Sequence, residues 1–156
     1  MPKKTQAKST APYSTIAGLS LLDIDLAYDP SFEETEGIDL NYHVQITPPK
    51  QMEDDFYFFK AQMMIGKSEK GSDDAKTAVR ANYFCALVCR NMKDEAIVTA
   101  ARKYAQTTIW SNFTSLAAVV TQQMRAEFPI LPPFAGRVTV KADDNEALEE
   151  GETSSI

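Results

Sequence analysis

The sequence predicts an α+β fold, a four-stranded antiparallel sheet followed by one long helix, continuous or broken, packed on one sheet face. Three observations carry this. Apolar and polar residues alternate in four separate stretches as far as Arg90, the apolar spacing changes to three and four residues from Lys93, and Pro129, Pro132 and Pro133 stop that helical pattern.

The first stretch sets Leu22, Ile24, Leu26 and Tyr28 against Asp23, Asp25 and Ala27, the period-two signature of a strand with one buried face, and Asp29-Pro30 ends it. An acidic connector from Ser31 to Gly37 leads to the second, where Leu40, Tyr42, Val44 and Ile46 alternate with Asn41, His43 and Gln45. Thr47-Pro48-Pro49 closes it, because neither proline can donate to a ladder.

The third strand comes after Asp54-Asp55. One face carries Tyr57, Phe59, Ala61, Met63 and Ile65 and is uniformly apolar, so it should meet the core. The other carries Phe56, Phe58, Lys60, Gln62 and Met64, too apolar for a plain solvent face and too polar for a core. After the turn Gly66 to Asp74, the fourth strand repeats the asymmetry. Val79, Ala81, Tyr83, Cys85, Leu87 and Cys89 alternate with a mixed set that includes Phe84 and Val88, and the two mixed faces should lie side by side.

Beyond Lys93, Ile97, Ala101, Tyr104 and Ala105 fit a helix, and Thr107-Thr108, both poor helix formers, are a place for it to bend or break. Ile109, Phe113, Leu116, Val120 and Met124 then form an apolar stripe about 100° wide. Trp110 and Val119 widen it, which suggests two things to touch: the chain's own sheet and a second copy. Phe128-Pro129 ends the helix and Leu131-Pro132-Pro133 keeps the chain extended. Gly136 breaks it again, leaving Val138 and Val140 as a short extended piece.

A chain of 156 residues, 44% hydrophobic and 24% charged, has the length of one domain with a real core. A formal charge of -6 argues against a nucleic-acid binder, whose footprint is a basic stripe. Lys3, Lys4 and Lys8 make residues 1–15 a basic tail, and Asp143, Asp144, Glu146, Glu149, Glu150 and Glu152 make residues 136–156 an acidic one. Both read as solvated ends flanking a domain at 16–135. No apolar run approaches the roughly 20 residues that span a bilayer, and Met1 to Ser14 lacks the apolar centre of a secretory signal. The expected compartment is the cytoplasm, with no membrane insertion.

Catalytic constellations are thin. His43, the single histidine, shares a strand face with Asn41 and Gln45, and there is no glycine-rich phosphate loop, HExxH or GxSxG. Cys85 and Cys89 lie four apart on a strand, separated by about 13 Å at about 3.3 Å per residue. They cannot share a zinc ion that needs each sulfur at about 2.3 Å. Nor can they form a disulfide, which needs Cα atoms within about 7 Å. Asp54-Asp55 and Asp73-Asp74 read as turn residues. No enzyme activity, metal or cofactor is expected. Unexplained apolar surface is left over: Phe56, Phe58, Met64, Phe84 and Val88 form either an interaction site or a face covered by the N-terminal segment or a subunit partner.

The order of these motifs resembles SecB and the SecB-like chaperones. Leu22-Asp23-Ile24-Asp25-Leu26 with Pro30 behind it is similar to the family's first strand and its exit. Asp54-Asp55-Phe56-Tyr57 resembles the entry to its third strand, and Phe128-Pro129-Ile130-Leu131-Pro132-Pro133 the segment after its long helix. The resemblance spans Ile16 to Phe134. It implies an ATP-independent holdase for unfolded or precursor polypeptides in protein export, assembled as a homotetramer of two dimers, with SecA among its partners. It further implies client binding at Phe56, Phe58, Met64, Phe84 and Val88, and an oligomer interface at Trp110, Phe113 and Val119. Two departures stand out. The family's apolar Asn-Phe segment and SecA-engaging tail are not recognisable in Ala135 to Ile156, and Trp110-Ser111-Asn112-Phe113 stands where a Pro-Tyr-x-Arg start of the long helix is usual. The alternatives are a dedicated chaperone of one partner, such as an antitoxin or a phage protein, an adaptor subunit with one fixed partner, and, as a third class, an enzyme or small-ligand binder using a pocket between sheet and helices.

Overall fold

A computed structural model of the chain describes residues 11–32, 37–124, 126 and 128–142. Its elements are β1 (Tyr13–Tyr28), β2 (Ile38–Ile46), β3 (Lys50–Glu53), β4 (Phe56–Glu69), β5 (Ala75–Arg90), α1 (Asp94–Tyr104), α2 (Trp110–Gln123) and β6 (Val138–Val140). The architecture is α+β, but the sheet has six strands rather than four. Its order is β1-β5-β4-β2-β6, with β3 also paired to β4. All the pairings are antiparallel except that of β6 with β2.

The two additional strands are short. β3 pairs with Phe56, Tyr57 and Phe58 of β4, and β2 pairs with Ala61 to Glu69 along the same edge. The two are successive parts of one neighbour of β4, interrupted where Pro48 and Pro49 cannot donate. Thr47 bridges the interruption: its N–H donates to the Lys60 carbonyl at 2.9 Å, and its Oγ1 accepts from the Lys60 N–H at 2.9 Å. Four residues without alternation left β3 unmarked in the sequence. β6 is the short extended piece expected at Val138 and Val140.

β1 is the longest departure, beginning at Tyr13 instead of Leu22. Its register against β5 shifts between Ile16 and Gly18 and again between Leu21 and Asp23. Each shift inserts one residue and exchanges the faces beyond it, so no single period-two pattern runs through the strand. The described fold therefore extends past both expected domain limits, 16 and 135. Residues 1–10 and 143–156, the greater part of the two tails, lie outside the described residues.

The β4 and β5 faces fall as their alternation dictates. Phe59, Ala61, Met63, Ile65, Val79, Ala81, Tyr83, Cys85, Leu87 and Cys89 are buried with Ile97, Ala101, Ala105, Ile109, Trp110 and Phe113 in one core between sheet and helices. α1 places Asp94 and Glu95 in its first turn and Arg102 and Lys103 in its last, which complements the helix dipole at both ends.

The helix does not break at Thr107-Thr108. It widens to a π turn over Ala105–Ile109 and continues as α2. The Gln106 carbonyl accepts from the Ala135 N–H at 3.0 Å, and the Gln106 side chain donates to the Gly136 carbonyl at 2.7 Å, so the wide turn ties down the segment leading to β6. α2 ends at Gln123, before Phe128. The Thr121 carbonyl accepts from the N–H groups of both Met124 and Ala126, closing the last turn.

Candidate functional site

The sheet face away from the helices gathers most of the expected aromatic surface. Phe56 lies opposite Val88, Phe58 opposite Ala86, and Lys60 opposite Phe84 in the β4–β5 register. These side chains share a face, and the Phe58 and Phe84 rings stack with centroids 5.4 Å apart. Phe56 is exposed, whereas Phe58, Phe84 and Val88 are half-buried. The flanking strands leave the patch open. β1 places Thr15 and Ser20 beside Val88 and Phe84, and a Cβ added to Gly18, opposite Ala86, would meet nothing within 4 Å. Lys50 of β3 pairs with Phe58.

Met64 does not join this patch. It lies between His43 and Arg80, six residues along β4 from Phe58, about 20 Å at strand rise. Alternation assigned its face correctly, but position along the strand is a separate coordinate. His43 is exposed, with its Nε2 3.4 Å from Gln45 Oε1.

The turn that aims β4 is built from Asp54-Asp55. Asp55 adopts a left-handed backbone, φ 65°, which Asp tolerates better than most residues. Its carbonyl accepts from the Cys89 N–H at 2.8 Å and its carboxylate lies 3.4 Å from Arg90. The acidic pair thus fixes the β3–β4 corner at the end of the aromatic patch.

The helix residues divide differently from the expected stripe. Trp110 and Phe113 are both 0% exposed, packed against the chain's own sheet, and offer nothing to a second copy. The indole N–H donates to the Pro132 carbonyl at 2.8 Å, and the ring meets Tyr42 edge-on at 5.9 Å and Phe113 at 5.8 Å. The polar handle of this side chain is satisfied inside the protomer. Val119 is 60% exposed and, of the three residues, alone faces outward. The buried stripe of α2 is Trp110, Phe113, Ala117 and Thr121. Leu116, Val120 and Met124 are half-buried at its margin.

A cleft of about 470 Å³ lies between α2 and the proline-rich segment, lined by Ile65, Ala117, Thr121, Phe128, Ile130 and Leu131 among others. Sequence reasoning missed it, although a signal was present. Prolines keep residues 129–133 out of helix and ladder, so their apolar side chains must lie across another element or remain in solvent. Ile130 is fully exposed beside the cleft, and the Lys67 ammonium sits 4.8 Å from the Phe128 ring centroid.

Both cysteines are buried free thiols on the core face. Burial pushes the Cys85 thiol up to about 12. Burial, and then the charge of Asp55, raise that of Cys89. Among the described residues, no group of three His, Cys, Asp or Glu side chains is placed to hold a metal ion, and no helix is long and apolar enough to cross a membrane.

These features define a class of fold: a mainly antiparallel sheet with helices laid over one face and, among the described residues, no element laid over the partly aromatic opposite face. Among solved structures, the chain is similar to a SecB-like chaperone of Mycobacterium tuberculosis in complex with a ChAD peptide from the HigA1 antitoxin. The TM-score is 0.56 and the identity 12%, over 80% of this chain and 92% of that one. The likeness is one of fold, and the fold is SecB-like. Neither a protein-family model nor a curated protein matches the sequence.

Proposed function

We propose that this protein is an ATP-independent holdase chaperone of the cytoplasm that binds extended, apolar segments of unfolded or precursor polypeptides. The observation carrying this reading is the aromatic patch of Phe56, Phe58, Phe84 and Val88, held on a sheet face that no described helix covers and rimmed by lysines and small polar side chains. Contiguous apolar surface of this kind marks an interaction site, and the cleft beside Ile130 offers a second apolar contact for the same client. The SecB-like fold supports the reading.

The expected assembly is a tetramer made of two dimers. Its support is the 16-residue β1, which pairs with β5 on one side, while among the described residues no strand covers the other. A long unpaired edge with Tyr13, Leu21, Leu22 and Tyr28 exposed is a template for a second copy. Val119, with the margin residues Leu116 and Val120, is the outward helix surface for joining dimers.

The purified protein should suppress aggregation of unrelated, chemically unfolded proteins without ATP. A variant carrying Phe56→Ser, Phe58→Ser and Phe84→Ser should lose that suppression while keeping its circular dichroism and thermal transition. Wild-type protein that leaves aggregation unchanged overturns the reading.

A second reading is a dedicated chaperone of one partner without a SecA role. It is favoured by the antitoxin peptide in the similar structure and by a C-terminal sequence unlike the SecA-engaging tail. Under this reading the same patch binds one polypeptide in preference to unrelated unfolded chains, and SecA does not pull down the protein.

A further inference from the structure

A second cleft, about 480 Å³, opens where the end of α1 meets the rim of the sheet. It is lined by Arg102, Gln106, Arg137, Val138, Thr139 and Val140. β6 pairs with β2 on one side, and among the described residues no strand covers its other side. One contact fixes which backbone groups face which way. The Lys141 N–H donates to the Ile46 carbonyl at 2.9 Å, so Lys141 and, by alternation, Thr139 address β2, while Val138 and Val140 turn their N–H and C=O groups to the other side. Among the described residues those groups have no backbone partner.

The charge at this rim runs against that of the whole chain. The formal net charge is -6, yet Arg102, Arg137 and Lys141 are all exposed here, and among the described residues no carboxylate lines the cleft. Nor does any of the three cations have an ion-pair partner among the described residues. Arg137 and Lys141 bracket β6 at its two ends, and Arg102 comes in from the last turn of α1. Gln106 holds that wall in place by donating to the Gly136 carbonyl at 2.7 Å.

These two properties together select an occupant. An extended backbone laid beside Val138 and Val140 satisfies their open groups, as strand addition to a sheet edge does. Carboxylates on that backbone meet guanidiniums suited to paired N–H···O contacts. A helix has already spent its backbone groups on itself, and a basic segment is repelled by the three cations. We propose that this cleft binds an extended acidic segment of a partner polypeptide, added as a further strand beside β6 with its carboxylates against Arg102 and Arg137. β2 stands between this edge and the aromatic patch of β4 and β5, so the two sites are distinct.

Fluorescence anisotropy of the full chain with a labelled short peptide of alternating glutamate and valine tests this. Binding should saturate, and Arg102→Gln with Arg137→Gln should weaken it about tenfold, the size that two exposed ion pairs can give. About 0.5 M salt should weaken it similarly, since screening is strong there. The same peptide N-methylated at every residue cannot donate to a strand edge and should not bind; nor should its lysine counterpart. The arginine variant should keep its circular dichroism and its suppression of aggregation, which separates this site from the holdase reading. Absence of saturable binding overturns the proposal. So does binding that ignores both arginines, or an N-methylated peptide that binds as well as the parent, which would leave an anion site without strand addition. A peptide that binds only after the acidic residues of 143–156 are neutralised overturns it too, because the occupant is then the chain's own end.

Discussion

Trp110 is the largest of the fully buried side chains, and its indole N–H reaches the Pro132 carbonyl at 2.8 Å. One residue therefore joins the start of α2 to the proline-rich segment and to Tyr42 of β2. Trp110→Ala should cost about 3–5 kcal/mol in denaturant unfolding, the range for removing a buried aromatic side chain. Trp110→Phe should cost less in packing, but it leaves the carbonyl without that donor. The cysteines give a pH signature. Folding holds the Cys85 thiol protonated up to about 12, against an ordinary value near 9, and Cys89 and Tyr83 are raised as well. The folded state keeps protons that the unfolded chain releases. This contribution to stability is complete below about pH 9 and is lost as pH rises toward 12. The urea midpoint should fall across that window, and both thiols should react with a disulfide reagent at about pH 8 only after unfolding.

At the scale of elements, α2 shows why hydrophobicity alone misassigned a face. The spacing of Leu116, Val120 and Met124 marked them as the buried stripe, yet Ala117 and Thr121 hold that place. Small side chains let the helix lie close to the sheet, and Thr121 is admitted because its hydroxyl donates to the Ala117 carbonyl at 2.7 Å. Ala117→Leu should destabilise by about 1–3 kcal/mol through overpacking. Val119→Asp should change protomer stability by less than about 0.5 kcal/mol, as an exposed substitution does, while disrupting any assembly formed through this helix face. Thermal unfolding and native mass together separate the two effects. The π turn was legible as the weak point Thr107-Thr108; that it would widen rather than break was not. That outcome depends on Ala135 and Gly136, about thirty residues away, donating to and accepting from Gln106.

For the molecule as a whole, the sheet is the scaffold and its two faces divide the work. One buries the core under α1 and α2; the other presents Phe56, Phe58, Phe84 and Val88. The length of β1 that no described strand covers is a liability in a lone protomer. Native mass determination should give four times 17.3 kDa. Leu21→Pro, placed in the strand that would pair, should lower that mass toward the protomer's. A protomer mass for the unmodified chain would overturn the tetramer.

Period-two alternation by itself determined which residues of β4 and β5 face the core, because strand geometry leaves successive side chains no other choice. The proline stop likewise determined that residues 129–133 lie outside both helix and ladder. Only the tertiary structure decided that Trp110 and Phe113 lie inside the protomer, that Met64 stands apart from the aromatic patch, and that two short strands complete the sheet. These are matters of helix distance, position along a strand and pairing with remote edges. Each is set by contacts between residues far apart in the chain, which local periodicity does not record.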